Sequence, residues 1–382
     1  MDPIHLTDDL KLLQRQVRRF VAEEVLPHAD SWERQGMVPR EVLRRMGALG
    51  FLGIRIPADY GGTGMDSLGT VAFGEELARC TYGGVTITAL VHIDMASPHI
   101  VRAGSAAQKA KYLPACTKGE IVTAIAVTEP DAGSDVQGLR TTARRAGNGW
   151  VLNGSKRFIT NGVHGDLYVV AARTDPSAKP SRGMSMFLVE RRTPGVTVAR
   201  ALDKMGWRCS DTAEIHFDDV KLPADALLGE ENKGFYAVMQ NFQQERLSAA
   251  AIYAGEASKA IELAHDYVKT RTAFGGTLWD KQAVRQKLAM YASQVEAYRH
   301  LVWHTAWMDA QGLDCVKEVS MAKALGGELV NEVIAGCLHL HGGMGLMRET
   351  PIERMYRDAR VHSIGGGATE VMLEEVAKRM AS

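Results

Sequence analysis

The segment Val127-Thr128-Glu129-Pro130-Asp131-Ala132-Gly133-Ser134-Asp135 stands just inside a boundary where the grain of the chain changes. Upstream, residues 1–122 read as helical. Thr7 or Asp8 can cap a run that carries Leu10, Leu13, Val17, Phe20, Val21 and Val25 at near-helical spacing and ends at Pro27. Residues 40–49 read as a second helix stopped by Gly50, residues 59–64 as a loop, and residues 106–113 as a polar helix before Pro114. Downstream, over 123–229, short β-branched and aromatic runs appear at 121–127, 150–152, 167–171, 186–189, 196–198 and 214–217. Gly147-Asn148-Gly149 reads as a hairpin turn. This block predicts a mostly antiparallel β domain. From 230 to 382 the chain is helical again, with long candidates at 234–270, 280–311 and 315–340 and a fourth after Thr369, which suggests a bundle. The order α–β–α predicts an α+β protein of three domains, 1–122, 123–229 and 230–382. No βαβ alternation points to a Rossmann or barrel fold.

Composition narrows the class. At roughly 100–200 residues per domain, 382 residues fit two or three domains. Hydrophobic residues at 46% and charged residues at 24% exclude a disordered or collagenous chain. Lys and Arg (45) balance Asp and Glu (45), which argues against a nucleic-acid binder relying on bulk positive charge. No apolar run approaches the roughly 18 residues of a membrane span, so no membrane partner is expected. The polar N-terminus reads as neither a secretory signal nor an Arg-rich transit peptide, which suggests a bacterial cytoplasmic protein; a processed mitochondrial matrix protein would look the same. Cys80, Cys116, Cys209, Cys315 and Cys337 are odd in number, far apart and without a CxxC. They predict reduced, mostly buried thiols, with no disulfide framework and no metal site.

Further motifs follow the opening segment in order: Lys156-Arg157-Phe158-Ile159-Thr160-Asn161, Lys204-Met205-Gly206-Trp207-Arg208, Arg271-Thr272-Ala273-Phe274-Gly275 with Gln282, Gly342-Gly343-Met344-Gly345, and Arg357-Asp358-Ala359-Arg360. Singly each is weak. Together, over essentially the whole chain, they resemble the acyl-CoA dehydrogenase family, whose segments read VTEP-x-x-GSD and K-x-W-I-T-N. The resemblance implies an N-terminal helical domain, a middle antiparallel β domain and a C-terminal four-helix bundle. It implies one FAD per subunit at a subunit interface, usually in a homotetramer. The implied reaction is α,β-dehydrogenation of an acyl-CoA to the trans-2-enoyl-CoA, with hydride transfer to flavin N5 and electrons passed to an electron-transfer flavoprotein. By resemblance, Val127 and Thr128 contact the flavin ring, Gly133 and Ser134 lie near cofactor and CoA, and Phe158, Ile159 and Thr160 flank the isoalloxazine. Most relatives carry Trp where this chain has Phe158; taken alone, Phe158 reads as a strand core residue. Arg271 matches an arginine that reaches the FAD diphosphate of the neighbouring subunit, where a guanidinium fork suits two phosphate oxygens. The resemblance further implies that Phe274 packs nearby, that Gln282 lies near the adenosine, and that Gly342 and Gly343 let backbone approach the same FAD. His339 stands where the family usually has Gln, and Ala368 and Glu370 fall at cofactor-side positions.

The α-proton of a thioester is weakly acidic, so a positioned base and fixed donors to the carbonyl oxygen are needed. The family pattern I-Y-E-G-T-x-E supplies the base at its first Glu. This chain reads Ile364-Gly365-Gly366-Gly367-Ala368-Thr369-Glu370, with Gly366 at that position. Isovaleryl-CoA and long-chain dehydrogenases carry the base on another helix as Glu followed by Arg-Leu. Here Glu245-Arg246-Leu247 lies 26 residues before Arg271, the family spacing, and the isovaleryl-type I-G-A-G-T-S-E-V is close to residues 364–371. Glu245 is therefore the expected base and Glu370 the runner-up. Taken alone, Glu-Arg on a helix is a solvated pair. Phe242, Ala249 and Ile252 share the face of Glu245, so that face would be apolar and the carboxyl pKa raised. Arg246, about 100° further round the helix, faces elsewhere, by resemblance towards CoA. Gln243 replaces an Asp common at this CoA-side position. By resemblance the Gly366 N–H donates to the thioester oxygen. Gly365 and Gly366 vacate volume beside it, which suits a medium-to-long or branched acyl group. A flavin oxidase or monooxygenase on the same fold, and a non-catalytic relative, stay open as alternatives.

Overall fold

The computed structural model describes residues 2–380. Seven helices lead: α1 (Asp8–Phe20), α2 (Ala29–Gln35), α3 (Arg40–Ala48), α4 (Ser67–Ala78), α5 (Gly83–Leu90), α6 (Ser97–Ala103) and α7 (Ala106–Thr117). The Thr7 hydroxyl caps α1 by accepting from the Leu10 N–H at 3.4 Å. After α3, Gly50 takes φ +80°, where a side chain would be strained. A π-helical turn, Val91–Ala96, carries α5 into α6. The expectation that Pro114 ends its helix is corrected, because α7 continues to Thr117. Proline removes one backbone bond, but Leu113 and Cys116 on either side of it are fully buried, and that packing holds the last turn.

Eight strands follow: β1 (Thr123–Ala126), β2 (Thr142–Ala146), β3 (Gly149–Thr160), β4 (Leu167–Arg173), β5 (Met184–Glu190), β6 (Val196–Ala201), β7 (Thr212–Pro223) and β8 (Leu227–Leu228). They form one sheet in the order β6-β7-β3-β2-β4-β5-β8, with β1 beside β4. Apart from the parallel contacts of β4 with β1 and β2, the pairs are antiparallel. Strand β4 is buried on both faces. Val169 and Ala171 join one core with Ile100, Leu113 and Val238, while Tyr168, Val170 and Ala172 join another with Trp150, Phe187 and Phe217. That is the period-2 consequence of the pleat.

The last third holds α8 (Gly234–Thr270), α9 (Gln282–Ala310), α10 (Val316–Leu340), α11 (Pro351–Ala359) and α12 (Thr369–Lys378). Helices α8, α9 and α10 pack on one another, α4 packs across α8 and α9, and α12 lies on α10. The two helical regions thus share a core: Val17 and Phe73 from the first third meet Tyr253, Trp303 and Val330 from the last. Strand β2 and helix α11 were not foreseen. In β2, Thr-Ala-Arg-Arg-Ala buries only Ala143, and Arg145 lies over the Trp150 ring at 4.2 Å. Helix α11 begins with Pro351 in its first turn, where the missing N–H costs nothing.

Candidate functional site

Glu245 lies on α8 with its side chain 7% exposed. Its Oε1 accepts from Asn241 Nδ2 at 2.8 Å. Among the described residues, no hydrogen bond is made to Oε2. Burial pushes the carboxyl up to about 7; the Asn241 hydrogen bond and the nearby Arg246 and Arg102 pull it down, and Asp94 adds to the rise. The surroundings are less apolar than Phe242, Ala249 and Ile252 alone predict, because Asn241 sits one turn earlier on the same face. The turn Val91–Ala96 brings Asp94 beneath. Asp94 is fully buried, its Oδ1 accepts from Thr70 Oγ1 at 3.2 Å, and burial pushes it up to about 6. Sequence reading missed Asn241, although its i−4 spacing from Glu245 was a usable signal.

The glycine loop packs against this part of α8. Gly366 takes φ +65° and Gly367 φ +114°, both in the left-handed region that favours glycine. A Cβ on Gly367 would stand 3.4 Å from Arg246 Nε, so the residue after Glu245 abuts the loop. Arg246 also lies over the Phe242 ring, at 5.4 Å. A Cβ on Gly366 would meet only Lys323 Cε at 3.8 Å, and one on Gly365 only Val361, so space is open around both. Lys323 of α10, 1% exposed, donates from Nζ to the carbonyls of His362 (2.8 Å) and Gly367 (2.9 Å), tying the loop at both ends. Burial pulls its ammonium down to about 8. Nothing in the sequence around Lys323 marked it. Ala368 is the N-cap residue of α12, and Glu370 is exposed in its first turn.

The opening segment is pinned to β3 by a buried ion pair. Glu129 Oε1 accepts from Lys156 Nζ at 2.8 Å and from the Thr141 N–H at 3.0 Å, and Oε2 from the Arg140 N–H at 2.6 Å. Lys156 Nζ also donates to Val127 O, and the Arg157 N–H to Thr128 O, both at 2.9 Å. Burial pulls Lys156 down to about 8. The β3–β7 register breaks between Lys156 and Ile159, and there Phe158 takes φ +61°. The reading of Phe158 as a strand core residue is corrected: the bulge turns its ring outward, 62% exposed, while Ile159 fills the core. Val127 is buried and Thr128 and Thr160 are half-buried. Gly133 and Ser134 are exposed, and a Cβ on Gly133 would meet nothing within 4 Å. An exposed ring flanked by threonines, with the Glu129 carboxylate already consumed, fits a planar flavin. Val127 and Phe242 belong to one hydrophobic cluster, which links this shelf to the turn of α8 before Glu245. Gln243 is half-buried on that turn.

The remaining residues expected at the cofactor lie elsewhere. Arg271 follows α8, about 39 Å along its axis from Glu245 at 1.5 Å per residue. Beside it a small hairpin pairs Thr272–Ala273 with Gly276–Thr277 and carries Phe274 at its tip, 93% exposed with φ +51°. Gln282, His339, Gly342 and Gly343 are exposed, and a Cβ on either glycine would meet nothing within 4 Å. The site residues therefore form two separate groups on one chain. A cleft of about 420 Å³ lined by Arg182, Asn232, Lys233 and Tyr236 opens just before and into the first turn of α8. These four residues carried no sequence signal. All five cysteines are buried and free. Among the described residues, no helix is long and apolar enough to cross a membrane, and no cluster of three His, Cys, Asp or Glu is placed to hold a metal ion.

Residues 7–120, 124–220 and 232–381 match the N-terminal, middle and C-terminal domains of acyl-CoA dehydrogenase. The chain is 44% identical over 375 residues to the mitochondrial long-chain specific acyl-CoA dehydrogenase of Mus musculus, covering 97% of this chain and 86% of that protein. It is 36% identical over 369 residues to the mitochondrial isovaleryl-CoA dehydrogenase of Pongo abelii, covering 96% and 87%. Its structure matches the crystal structure of acyl-CoA dehydrogenase from Geobacillus kaustophilus with a TM-score of 0.95 at 41% identity, over 100% of both chains. The chain belongs to the FAD-dependent acyl-CoA dehydrogenase family.

Proposed function

We propose that Glu245 takes the α-proton of a medium-to-long or branched acyl-CoA. The observation that carries this reading is the state of that side chain. It is buried, its pKa sits at about 7, and Oε2 takes no hydrogen bond from any described residue. A carboxylate of that pKa is poised near the operating pH of a general base. Gly366 offers a backbone N–H and no side chain, and Lys323 holds its loop by two carbonyls. That N–H can polarise the thioester oxygen while the α-proton leaves, the step at which charge develops. The open space at Gly365 and Gly366 supports a bulky or branched acyl group.

Bound FAD supplies the two-electron acceptor for the β-hydrogen. Thr128, Phe158 and Thr160 orient its ring. Arg271, Phe274, Gln282, His339, Gly342 and Gly343 serve the FAD of a neighbouring subunit, in a homotetramer whose acceptor is an electron-transfer flavoprotein, in the bacterial cytoplasm. Arg182 and Lys233 in the 420 Å³ cleft give two cations for the phosphates of CoA, with Tyr236 beside them. Anaerobic mixing of the holoprotein with isovaleryl-, citronellyl-, octanoyl- and palmitoyl-CoA tests the reading. Bleaching of the visible flavin band by at least one thioester is expected, and its preferred acyl group ranks branched against straight chains. No bleaching by any of the four, in protein holding full FAD, counts against it.

A further inference from the structure

We infer that Arg102 and Asn241 are positioning residues that fix the Glu245 carboxyl in one orientation and leave Oε2 as the oxygen that takes the proton. This rests on Glu245 being the base. Asn241 is fully buried on α8, one turn before Glu245. Its Nδ2 donates to Glu245 Oε1 at 2.8 Å and to the backbone carbonyls of Met95 (3.1 Å) and Asp94 (3.2 Å). Two amide hydrogens thus serve three acceptors, and none is spare. Its Oδ1 accepts from Arg102 Nη1 at 2.9 Å, while Arg102 Nη2 donates to Gln244 Oε1 at 2.5 Å.

This arrangement has only one sense. A flipped Asn241 amide would set its NH2 against the Arg102 donor and its oxygen against a carboxylate and two carbonyls. The guanidinium therefore dictates which end of the amide faces Glu245. The amide in turn keeps Oε1 occupied and lowers the carboxyl's proton affinity against the effect of burial. The charged groups around Glu245 come from three elements: Asp94 from the turn Val91–Ala96, Arg102 from α6, and Arg246 from α8 itself. Arg55 stands behind Asp94 and Arg102, and Asp309 behind Arg102. Asp94 and Arg102 act in opposite senses on the carboxyl, so Asn241 is the neutral donor that sets its direction.

The experiment compares wild type with Asn241→Leu, Asn241→Asp and Glu245→Gln, each as FAD-loaded protein. Infrared difference titration against Glu245→Gln reads the Glu245 carboxyl directly. Anaerobic flavin reduction by the fastest of the four thioesters is followed from pH 5.5 to 9.5. Asn241→Leu removes the donor. Asn241→Asp keeps an acceptor for Arg102 and turns a carboxylate on Glu245. Both are expected to raise the Glu245 titration by about one unit or more, Asn241→Asp the further. Reduction at pH 6 then falls about tenfold and recovers towards pH 9. A loss of rate equal at every pH, with the carboxyl titration unmoved, would make Asn241 merely structural and overturn the inference. Wild-type reduction rates in Glu245→Gln would instead remove the base assignment on which it rests.

Discussion

Glu245 stood out in the sequence as the candidate base because two departures coincided: glycine at 366, and Glu-Arg-Leu 26 residues before Arg271. Its environment was only half legible. Asn241 shares its helix face, but Asp94 and Arg102 arrive from the turn Val91–Ala96 and from α6, whose positions under α8 only tertiary packing sets. Burial raises the Glu245 carboxyl to about 7 from an ordinary 4.5, so between those values the folded protein binds a proton that the unfolded chain releases. Its contribution to stability is full below about pH 4.5 and is lost as pH rises to about 7, an effect of order 3 kcal/mol. Thermal melts of wild type should therefore lose more between pH 4.5 and 7 than melts of Glu245→Gln. Parallel pH curves for the two proteins would contradict this. Lys323 has the opposite sense. Its pKa is lowered to about 8, so the stability it withholds at neutral pH returns as pH rises from about 8 to 10.5. Lys323→Met leaves the His362 and Gly367 carbonyls without that donor, and a loss of about 2–4 kcal/mol in denaturant unfolding is expected, with slower flavin reduction.

The long helices were plain in the sequence, since α8, α9 and α10 are long stretches free of Pro and separated by short breaks. The strands were legible as a block but not in length. Strand β7 runs to Pro223 through Asp218, Asp219 and Lys221, whose charges point outward and hid the pattern. Taken alone Phe158 reads as strand core, and that reading fails because a bulge reverses which face it occupies, and bulges leave no trace in an apolar run. The clamp between Glu129 and Lys156 joins the segment after β1 to β3, and so sets the shelf on which Thr128 and Phe158 stand. Lys156→Met strands a buried carboxylate, which costs about 3–5 kcal/mol. Purified Lys156→Met should carry less FAD per chain than wild type, read from the ratio of flavin to protein absorbance, and should melt earlier. Full FAD occupancy with an unchanged melt would show that the pair does not hold the shelf.

At the scale of the molecule, three blocks of sequence fold onto shared cores, which a block-by-block reading does not show. Helix rise alone puts Arg271 about 39 Å along α8 from Glu245, and in the assembly proposed above the two residues serve different FADs. Arg271→Ala is expected to bind FAD weakly. A co-refolded mixture of Arg271→Ala and Glu245→Gln subunits should recover part of the reduction activity that neither homo-oligomer shows, because a mixed interface restores an intact base and an intact arginine around one FAD. Whether Glu245 is the base is read by stopped-flow anaerobic reduction of FAD-loaded Glu245→Gln beside Glu370→Gln, using the thioester that bleaches wild type fastest. Glu245→Gln should keep its FAD and reduce it at least about a thousandfold more slowly, while Glu370→Gln stays within about tenfold of wild type. Rapid reduction in Glu245→Gln, or its loss in Glu370→Gln alone, would take the base role away from Glu245.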